Sequence, residues 1–551
     1  MKIAWERLVF KAEAVTGTEA KWLIRTVRHL DPKRSEADEL CQAIRLLLGL
    51  LPRLLDRCAG MVSHDWTALD RDLRRFLPQK SVVSKRQELL VYDCDGLTID
   101  RHCPPLAVLP ETTEEVSQIL ACCHRYGIPF VARGSGTGLS GGALVEQEAL
   151  LVVTSRMRRI LSMDLDNHTI TVQPGVINSW VTRAVAGEGF YYAPDPSSQV
   201  VCSIGGNVAE NSGGVHCLKY GVTSNHVLGL EVVLADGTVT LLGGGLSEHA
   251  ELDLRGAFIG SEGTLGIATA ITLRLLRAPQ HVTVLLADFP TMESAGEAVC
   301  QVTAAGVLPA GMEIMDNFMI NAVNDLFGFD EYPRDAAGVL LIELDGQAAE
   351  VTVAADQASG LCRKAGARTI RRAEEAADRA LLWKGRKSAF AAVGQISPTY
   401  YVQDGVVPRS TLPRVLTAIE RLSREYELPV ANVFHAGDGN LHPLILYNAG
   451  TPDVESRVRD LGSAILRECL DVGGSITGEH GVGADKRCYL DWMFAADDLS
   501  TMKLLRRAFD PDGRANPDKI FPTPKSCGES ARRQVILTSE GIEMPSEAKA
   551  F

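Results

Sequence analysis

Ala132-Arg133-Gly134-Ser135-Gly136-Thr137-Gly138-Leu139-Ser140-Gly141-Gly142 is the stretch on which the fold turns. Glycines this dense, set between two apolar runs, let the backbone adopt positive φ and turn successive N–H groups toward one anion. Gly136, Gly138 and Gly141 spell G-x-G-x-x-G, so a Rossmann dinucleotide site is the first rival. A Rossmann loop opens the helix of a βαβ unit of roughly 30 residues and is followed about 20 residues later by an acid. Here the chain passes through Gly142-Ala143-Leu144-Val145 and reaches the apolar run Ala149–Thr154, too soon for a crossover helix. The reading is a pyrophosphate held by a loop between strands, outside the Rossmann class; a Gly-rich linker is the bland alternative, and the strands at both ends argue against it.

Leu106–Pro110 reads as a strand, and Thr112-x-x-Glu115 as a capping box. Val116, Ile119, Leu120 and Cys123 then follow at helical spacing up to Gly127. Ile128–Ala132 is the strand that feeds the loop. Further strands fall at Thr169–Val172, Leu228–Leu234 and Ile271–Leu275, and Ala235-Asp236-Gly237 predicts a hairpin after the second. Beyond Ala278-Pro279 a new unit opens at Val282–Asp288, where strands such as Val339–Leu344 alternate with Ala-rich helices. The expected organisation is α+β: a helical extension at 1–60, a lead-in at 61–101, a cofactor domain at 102–279, a second α+β domain at 280–521 and a poorly ordered tail at 522–551. Met61-Val62-Ser63-His64 resembles a natural start, so the first segment reads as a dispensable extension or a misplaced start.

The chain has 551 residues, 46% of them apolar and 23% charged, with a net charge of −13. That describes a globular protein of several domains and disfavours nucleic acid as a partner. The longest apolar run, Ala43–Leu55, is broken by Arg45 and Arg53 and falls short of the roughly 20 residues that span a bilayer. Glu6, Glu13 and Glu19 do not suit a secretory signal. Thirteen cysteines, odd in number and without C-x-x-C, suit reduced thiols in a cytoplasm and no iron–sulfur cluster of the chain's own.

Two more glycine segments follow the first. Ile204–Gly214, trailed by Lys219-Tyr220-Gly221, and Gly260–Ile267 would let backbone approach a flat ring closely. A separate cluster, Asn432-Val433-Phe434-His435-Ala436-Gly437-Asp438-Gly439-Asn440-Leu441-His442, predicts a hairpin with His435 and His442 directly opposed across it. Glu479, in Gly473–Gly483, could complete a two-histidine, one-carboxylate set for Zn²⁺, Fe²⁺ or Mn²⁺. On spacing alone a satisfied pair of core histidines or metal-free catalysis stands beside that reading. His480 is a candidate general base or a loop histidine bonded to backbone. Arg386, on a predicted helix with Trp383, is a carboxylate grip or a solvated charge.

Taken together, the three glycine segments resemble the FAD domain of the vanillyl-alcohol oxidase and p-cresol methylhydroxylase superfamily over roughly residues 102–279. The segments around Trp383 and Arg386, His435 and His442, Glu479 and His480, and Asn516-Pro517-Asp518-Lys519 resemble the C-terminal domain of FAD-linked oxidases, nearest the glycolate oxidase flavin subunits and D-lactate dehydrogenases. The resemblance implies a two-subdomain FAD-binding domain of the p-cresol methylhydroxylase type and a cap domain. It implies FAD contacts at Arg133, Gly134, Ser135, Gly136, Thr137, Gly138, Leu139, Ser140, Gly141, Pro194, Gly205, Gly206, Ala209, Ser212, Gly213, Gly214, Tyr220, Gly221, Glu262, Gly266, Ile267 and Asn516. The loop carries no histidine to tether the flavin, so FAD is expected to be non-covalent. A divalent metal on His435, His442 and Glu479, His480 as base and Arg386 on the substrate carboxylate are likewise implied.

Val402 stands where relatives acting on 2-hydroxyglutarate have a lysine, which favours a short 2-hydroxy acid, glycolate or D-lactate. Electrons are then expected to pass to an iron–sulfur partner, alongside a second flavin subunit, or to a quinone. The location would be cytoplasmic, with any membrane contact made through partners. A non-redox FAD-containing alkyl transferase and a flavin-binding scaffold subunit are the alternatives.

Overall fold

The computed structural model describes residues 64–244, 252–328 and 330–523, together with a short hairpin of Leu537–Thr538 and Gly541–Ile542. Contacts divide the chain into Met1–Asp65 and Trp66–Phe551. The extension read at 1–60 and most of the expected tail lie outside the described residues.

The glycine loop joins two parallel strands of a four-stranded sheet. These are β1 (Val82–Val83), β2 (Leu106–Val108), β3 (Phe130–Arg133) and β4 (Leu150–Val153), in the order β1-β2-β4-β3. Helix α1 (Thr113–Tyr126) covers the sheet. It starts where Thr112 Oγ1 accepts from the Glu115 N–H at 3.2 Å and stops where Gly127 turns to φ 64°. Its apolar face, Val116, Ile119, Leu120 and Cys123, is buried against Leu106, Val108 and Leu150. The lead-in is no separate segment: Val82 pairs with Val108, and Leu69, Leu73 and Leu77 enter the same core. The far end of the chain also returns here. The Phe130 N–H donates to Arg514 O and the Asn516 N–H to Phe130 O, so residues 514–516 run alongside β3.

An antiparallel sheet follows, built of β5 (Ile160–Asp164), β6 (Thr169–Val172), β7 (Val227–Val233), β8 (Val239–Gly243) and β9 (Ile267–Arg274) in the order β5-β6-β9-β7-β8. β7 and β8 form the predicted hairpin, with Gly237 at φ 92°. Helix α2 (Ile204–Glu210) carries the second glycine segment and is capped by Ser203, whose hydroxyl accepts from the Gly206 N–H.

The third sheet is larger: β10 (His281–Phe289), β11 (Gly311–Asp316), β12 (Gly338–Gly346), β13 (Thr369–Ala373), β14 (Thr399–Val402), β15 (Gly405–Val406), β16 (Val430–His435), β17 (Asn440–Leu441) and β18 (Pro443–Tyr447). Its main path runs β13-β10-β12-β11-β16-β17-β15, and β18 pairs with β14 and β16. Side chains alternate between faces along a strand, and both faces of this sheet are covered. On β12, Leu340, Ile342 and Leu344 join one core with Val299, Ala355 and Ile419, while Val339 and Leu341 join another with Ile320, Val323 and Leu382. That double burial explains the continuous apolar run read at Val339–Leu344. Leu382 lies on α3 (Ala376–Lys387), whose C-terminal end carries Arg386 and Lys387.

Leu341 is fully buried in the centre of one layer. A Leu341→Ala variant is expected to lose about 2–5 kcal/mol, read as a lowered melting temperature; an unchanged melting temperature would mean that this face is not close-packed.

Candidate active site

A cavity of about 390 Å³ lies against the glycine loop and α2, and His442, Glu479 and His480 line it too. It brings together most residues read from the sequence: Arg133, Gly134, Ser135, Gly136, Thr137, Gly138, Leu139, Gly205, Gly206, Ala209, Ser212, Glu262, Gly266 and Ile267. The remainder stand behind the lining. Ser140 Oγ donates to His480 O at 2.8 Å, and Asn516 Nδ2 donates to Gly142 O and Glu262 O. Gly141 packs on Ala484, and a Cβ on Gly213 would press on Glu479. Pro194 O accepts from Asn178, Gly214 lies against Asp195, Tyr220 donates to Asp345, and Gly221 lies against Asn225.

The lining suits a pyrophosphate and a ring. Arg133 is 8% exposed, and its Nη1 is buried without a hydrogen-bond partner. A phosphate oxygen is the acceptor that such a buried guanidinium lacks. At Gly138 a Cβ would meet nothing nearer than Glu210 Oε1 at 3.8 Å, so the space beside it is open cavity. Glu262, at φ 51°, accepts from the Val482 N–H at 2.8 Å and the Gly483 N–H at 2.6 Å. Burial pushes its carboxyl up to about 7 and raises Glu210 as well. The Glu262 bonds and the Ser140 bond tie the segment 480–483 to the flavin-type cradle.

The histidines meet, but not as predicted. The turn spans residues 436–439, and His435 pairs with Asn440. His442 sits two residues further along, in the break between β17 and β18, as a same-face diagonal neighbour within reach of a long side chain. The rings lie 5.1 Å apart at 88°. Glu479 Oε1 stands 3.2 Å from His435 Nε2 and 3.3 Å from His442 Nε2. A tetrahedral ion with bonds of about 2.0–2.1 Å has ligand-to-ligand edges of about 3.3 Å. His442 Nε2 is buried with no hydrogen-bond partner, which an ion would supply. A second set, Asp404, His442 and His480, also has its ligand atoms within 4.8 Å of one another.

Two carboxylates organise this cluster, and both were missed in the sequence. Glu313 on β11 has Oε1 2.6 Å from His435 Nδ1 and Glu479 Oε1 faces Nε2, and against its burial the two carboxylates raise the imidazole well above its usual range; a bound ion would take Nε2 as its ligand atom. Asp404 accepts from Thr477 Oγ1 at 2.6 Å and from the N–H groups of Gly478, Glu479 and His480. Burial works against its ionisation, yet His480, Lys486 and His442 hold its carboxyl well below the usual range. Against the same burial, His435 draws Glu479 down to about 2. His480 stacks on His442 at 4.7 Å, and burial depresses it to about 4.

Arg386 differs most from expectation. It is 2% exposed, with Nε 2.8 Å from Glu313 Oε2, and it does not line the cavity. Its guanidinium meets the carboxylate behind His435, and a buried Glu313 needs such a cation beside it. The signal for Glu313 was an acid alternating with apolar residues in Gly311-Met312-Glu313-Ile314-Met315; for Asp404 it was an acid flanked by strand residues on both sides.

A glycine cradle outside the Rossmann class, opening on a two-histidine, one-carboxylate cluster, suits a cofactor-binding protein with candidate metal ligands on the wall of the cofactor cavity. Residues 104–243 match the FAD binding domain family, and residues 278–520 match the C-terminal domain of FAD linked oxidases. Glycolate oxidase subunit GlcD of Escherichia coli (strain K12) is 48% identical over 465 residues, covering 84% of this chain and 93% of that one. A probable mitochondrial D-lactate dehydrogenase of Danio rerio is 32% identical, covering 76% and 84%. The structure of p-cresol methylhydroxylase superposes with a TM-score of 0.71 at 18% identity, covering 82% and 97%, which shows the shared fold. The chain belongs to the FAD-linked oxidase family, and its cofactor is FAD.

Because a Cβ at Gly138 would enter open cavity, Gly138→Val is expected to fold and to purify colourless. A full complement of flavin in that variant would place the phosphate cradle elsewhere.

Proposed function

We propose that this chain oxidises a short 2-hydroxy acid, glycolate or D-lactate, to the 2-oxo acid, with His435, His442 and Glu479 holding a divalent ion of Zn, Fe or Mn. The observation that carries the reading is the convergence of two Nε2 atoms and Glu479 Oε1 on the wall of the flavin cavity, with His480 beside them. When bound, FAD accepts the hydride and the ion lowers the pKa of the substrate hydroxyl. His480 takes the hydroxyl proton. Depressed by burial to about 4, it is neutral at pH 7 and has an imidazole nitrogen free to accept. Glu313 fixes the His435 tautomer, Arg386 neutralises Glu313, and Asp404 sets the backbone from which Glu479 and His480 project.

Val402 ends β14 as a buried apolar residue, 6% exposed; the absence of a lysine at that position favours a monocarboxylate over a dicarboxylate. Glycolate and D-lactate differ by one methyl, worth about 1–3 kcal/mol in a pocket. Electrons leave, on this reading, to an iron–sulfur subunit, with a second flavin subunit in the same complex, or to a quinone; the GlcD relative is itself named as a subunit. Among the described residues no helix is long and apolar enough to cross a membrane, and the proposed location is cytoplasmic.

Anaerobic mixing of the FAD-loaded protein with a panel of 2-hydroxy acids, including both lactate enantiomers, tests the activity. Glycolate or D-lactate is expected to bleach the flavin band; bleaching by no member of the panel would refute it. His435→Ala and Glu479→Ala are each expected to lose bound metal and substrate oxidation while keeping flavin. Stoichiometric metal in both variants, by elemental analysis, would assign these side chains to packing. His480→Ala is expected to keep metal and flavin while flavin reduction slows by roughly 10²–10⁴-fold. Reduction at the wild-type rate would remove His480 as the base, and loss of metal would make it a ligand.

A further inference from the structure

Two acids meet beside the glycine loop, and only one of them has donors. Glu210 ends α2, and the third glycine segment is bonded to that end: the Gly260 N–H donates to Val208 O and the Glu262 N–H to Ala209 O, both at 2.8 Å. The two carboxyls are thereby brought round Gly481, at φ 83°, where a Cβ would press on Glu210 Oε2 and, at 2.8 Å, on Glu262 Oε1. Glu262 accepts from two backbone N–H groups and has Lys519 and Lys486 near it. Glu210 Oε2 is buried with no hydrogen-bond partner, and the charges that bear on it, Glu262, Asp95 and Asp404, are all negative. The other oxygen, Oε1, faces the cradle: a Cβ on Gly142 would stand 2.9 Å from it, and one on Gly138 would stand 3.8 Å from it with nothing nearer. Both glycines and Glu210 line the cavity.

We propose that Glu210 stays a neutral carboxylic acid and donates a hydrogen bond to an oxygen of bound FAD, so that this chain takes up a proton from solvent when the cofactor binds. A buried carboxylate without donors is costly, and burial, with Glu262 beside it, already pushes Glu210 well above the ordinary carboxylate range. FAD brings an anionic pyrophosphate to the loop opposite, which favours the protonated form further. Once protonated, the group changes from a repulsion into a donor, the use that active sites make of carboxyls kept neutral by their surroundings. The other acids nearby are committed. Asp95, pushed up to about 6 by burial, accepts from the Leu97 and Ala143 N–H groups, and Asp404 holds the turn at 477–480. Glu262, at about 7, keeps its two N–H donors, while Arg133 supplies the cation on the cradle. With FAD in place the Glu210–Glu262 pair holds its proton more tightly than without it. Cofactor affinity is therefore full below the range in which the free pair ionises and falls as the pH rises through that range. This coupling belongs to the FAD cradle and is independent of the substrate proposed above.

The test titrates FAD-free wild type, Glu210→Gln and Glu210→Met with FAD from about pH 6 to about pH 9. Affinity is read from flavin fluorescence, and proton uptake from calorimetry in buffers of different ionisation enthalpy. Wild type is expected to take up roughly half to one proton per FAD near about pH 8, and to weaken by up to about tenfold per pH unit above about pH 7. Glu210→Gln keeps a donor without the acid, so it should bind FAD like wild type at the acid end, lose most of the proton uptake and bind more tightly than wild type at the alkaline end. Glu210→Met has neither, and at the acid end it should bind FAD roughly 3- to 10-fold more weakly than wild type, as for loss of one hydrogen bond. Wild-type binding without proton uptake would overturn the proposal, and that measurement needs no variant. Undiminished proton uptake in Glu210→Gln would also overturn it by assigning the proton to another acid, and wild-type affinity in Glu210→Met at the acid end would remove the hydrogen bond.

Discussion

The site depends on one buried carboxylate. Asp404 gathers the Thr477 hydroxyl and three successive backbone N–H groups, and so bends residues 477–480 into a turn around a negative charge. That turn projects Glu479 toward the histidine pair and His480 along the face of His442. Leaving such a charge without partners inside a protein would cost several kcal/mol. The loop that supplies the donors is therefore under strong pressure to close. On its other side the same segment gives the Val482 and Gly483 N–H groups to Glu262 and the His480 carbonyl to Ser140. One loop thereby joins the glycine cradle to the proposed metal ligands.

The electrostatics follow a consistent division. Carboxylates that face histidines are held ionised: Glu479 down to about 2, and Asp404, with Lys486 also beside it, well below its usual range. Burial pushes the cradle carboxylates the other way, with Glu262 up to about 7 and Glu210, which also feels the Glu262 charge, raised as well. The two halves of the cavity so differ in proton demand. Around the histidines, anionic oxygen atoms wait for a cation; around the cradle, Arg133 waits for an anion. An ion at one end and a pyrophosphate at the other satisfy both.

Local rules made much of this legible. Thr112 capping, Gly127 termination, the Ala235-Asp236-Gly237 hairpin and the β-strand runs all depend on residues close in sequence, and each appears where the pattern put it. What failed was long-range. Residues 514–516 add to β3 across most of the chain, and the lead-in joins the first sheet through Val82; neither long-range pairing could be read from composition. The histidine register slipped because a turn of residues 436–439 sets His435 opposite Asn440, a choice that turn residues alone do not fix. Arg386 was read by type as a carboxylate binder. It stands on the Glu313 carboxylate of β11, behind the histidine pair.

Anomalous diffraction from crystals of the FAD-loaded protein tests the account most directly, because it locates metal and flavin in one map. The account predicts flavin density along the glycine loop and a metal peak within about 2.0–2.3 Å of His435 Nε2, His442 Nε2 and a Glu479 oxygen. A peak centred instead on Asp404, His442 and His480, or no peak in metal-replete crystals whose flavin is reduced by glycolate or D-lactate, would contradict it.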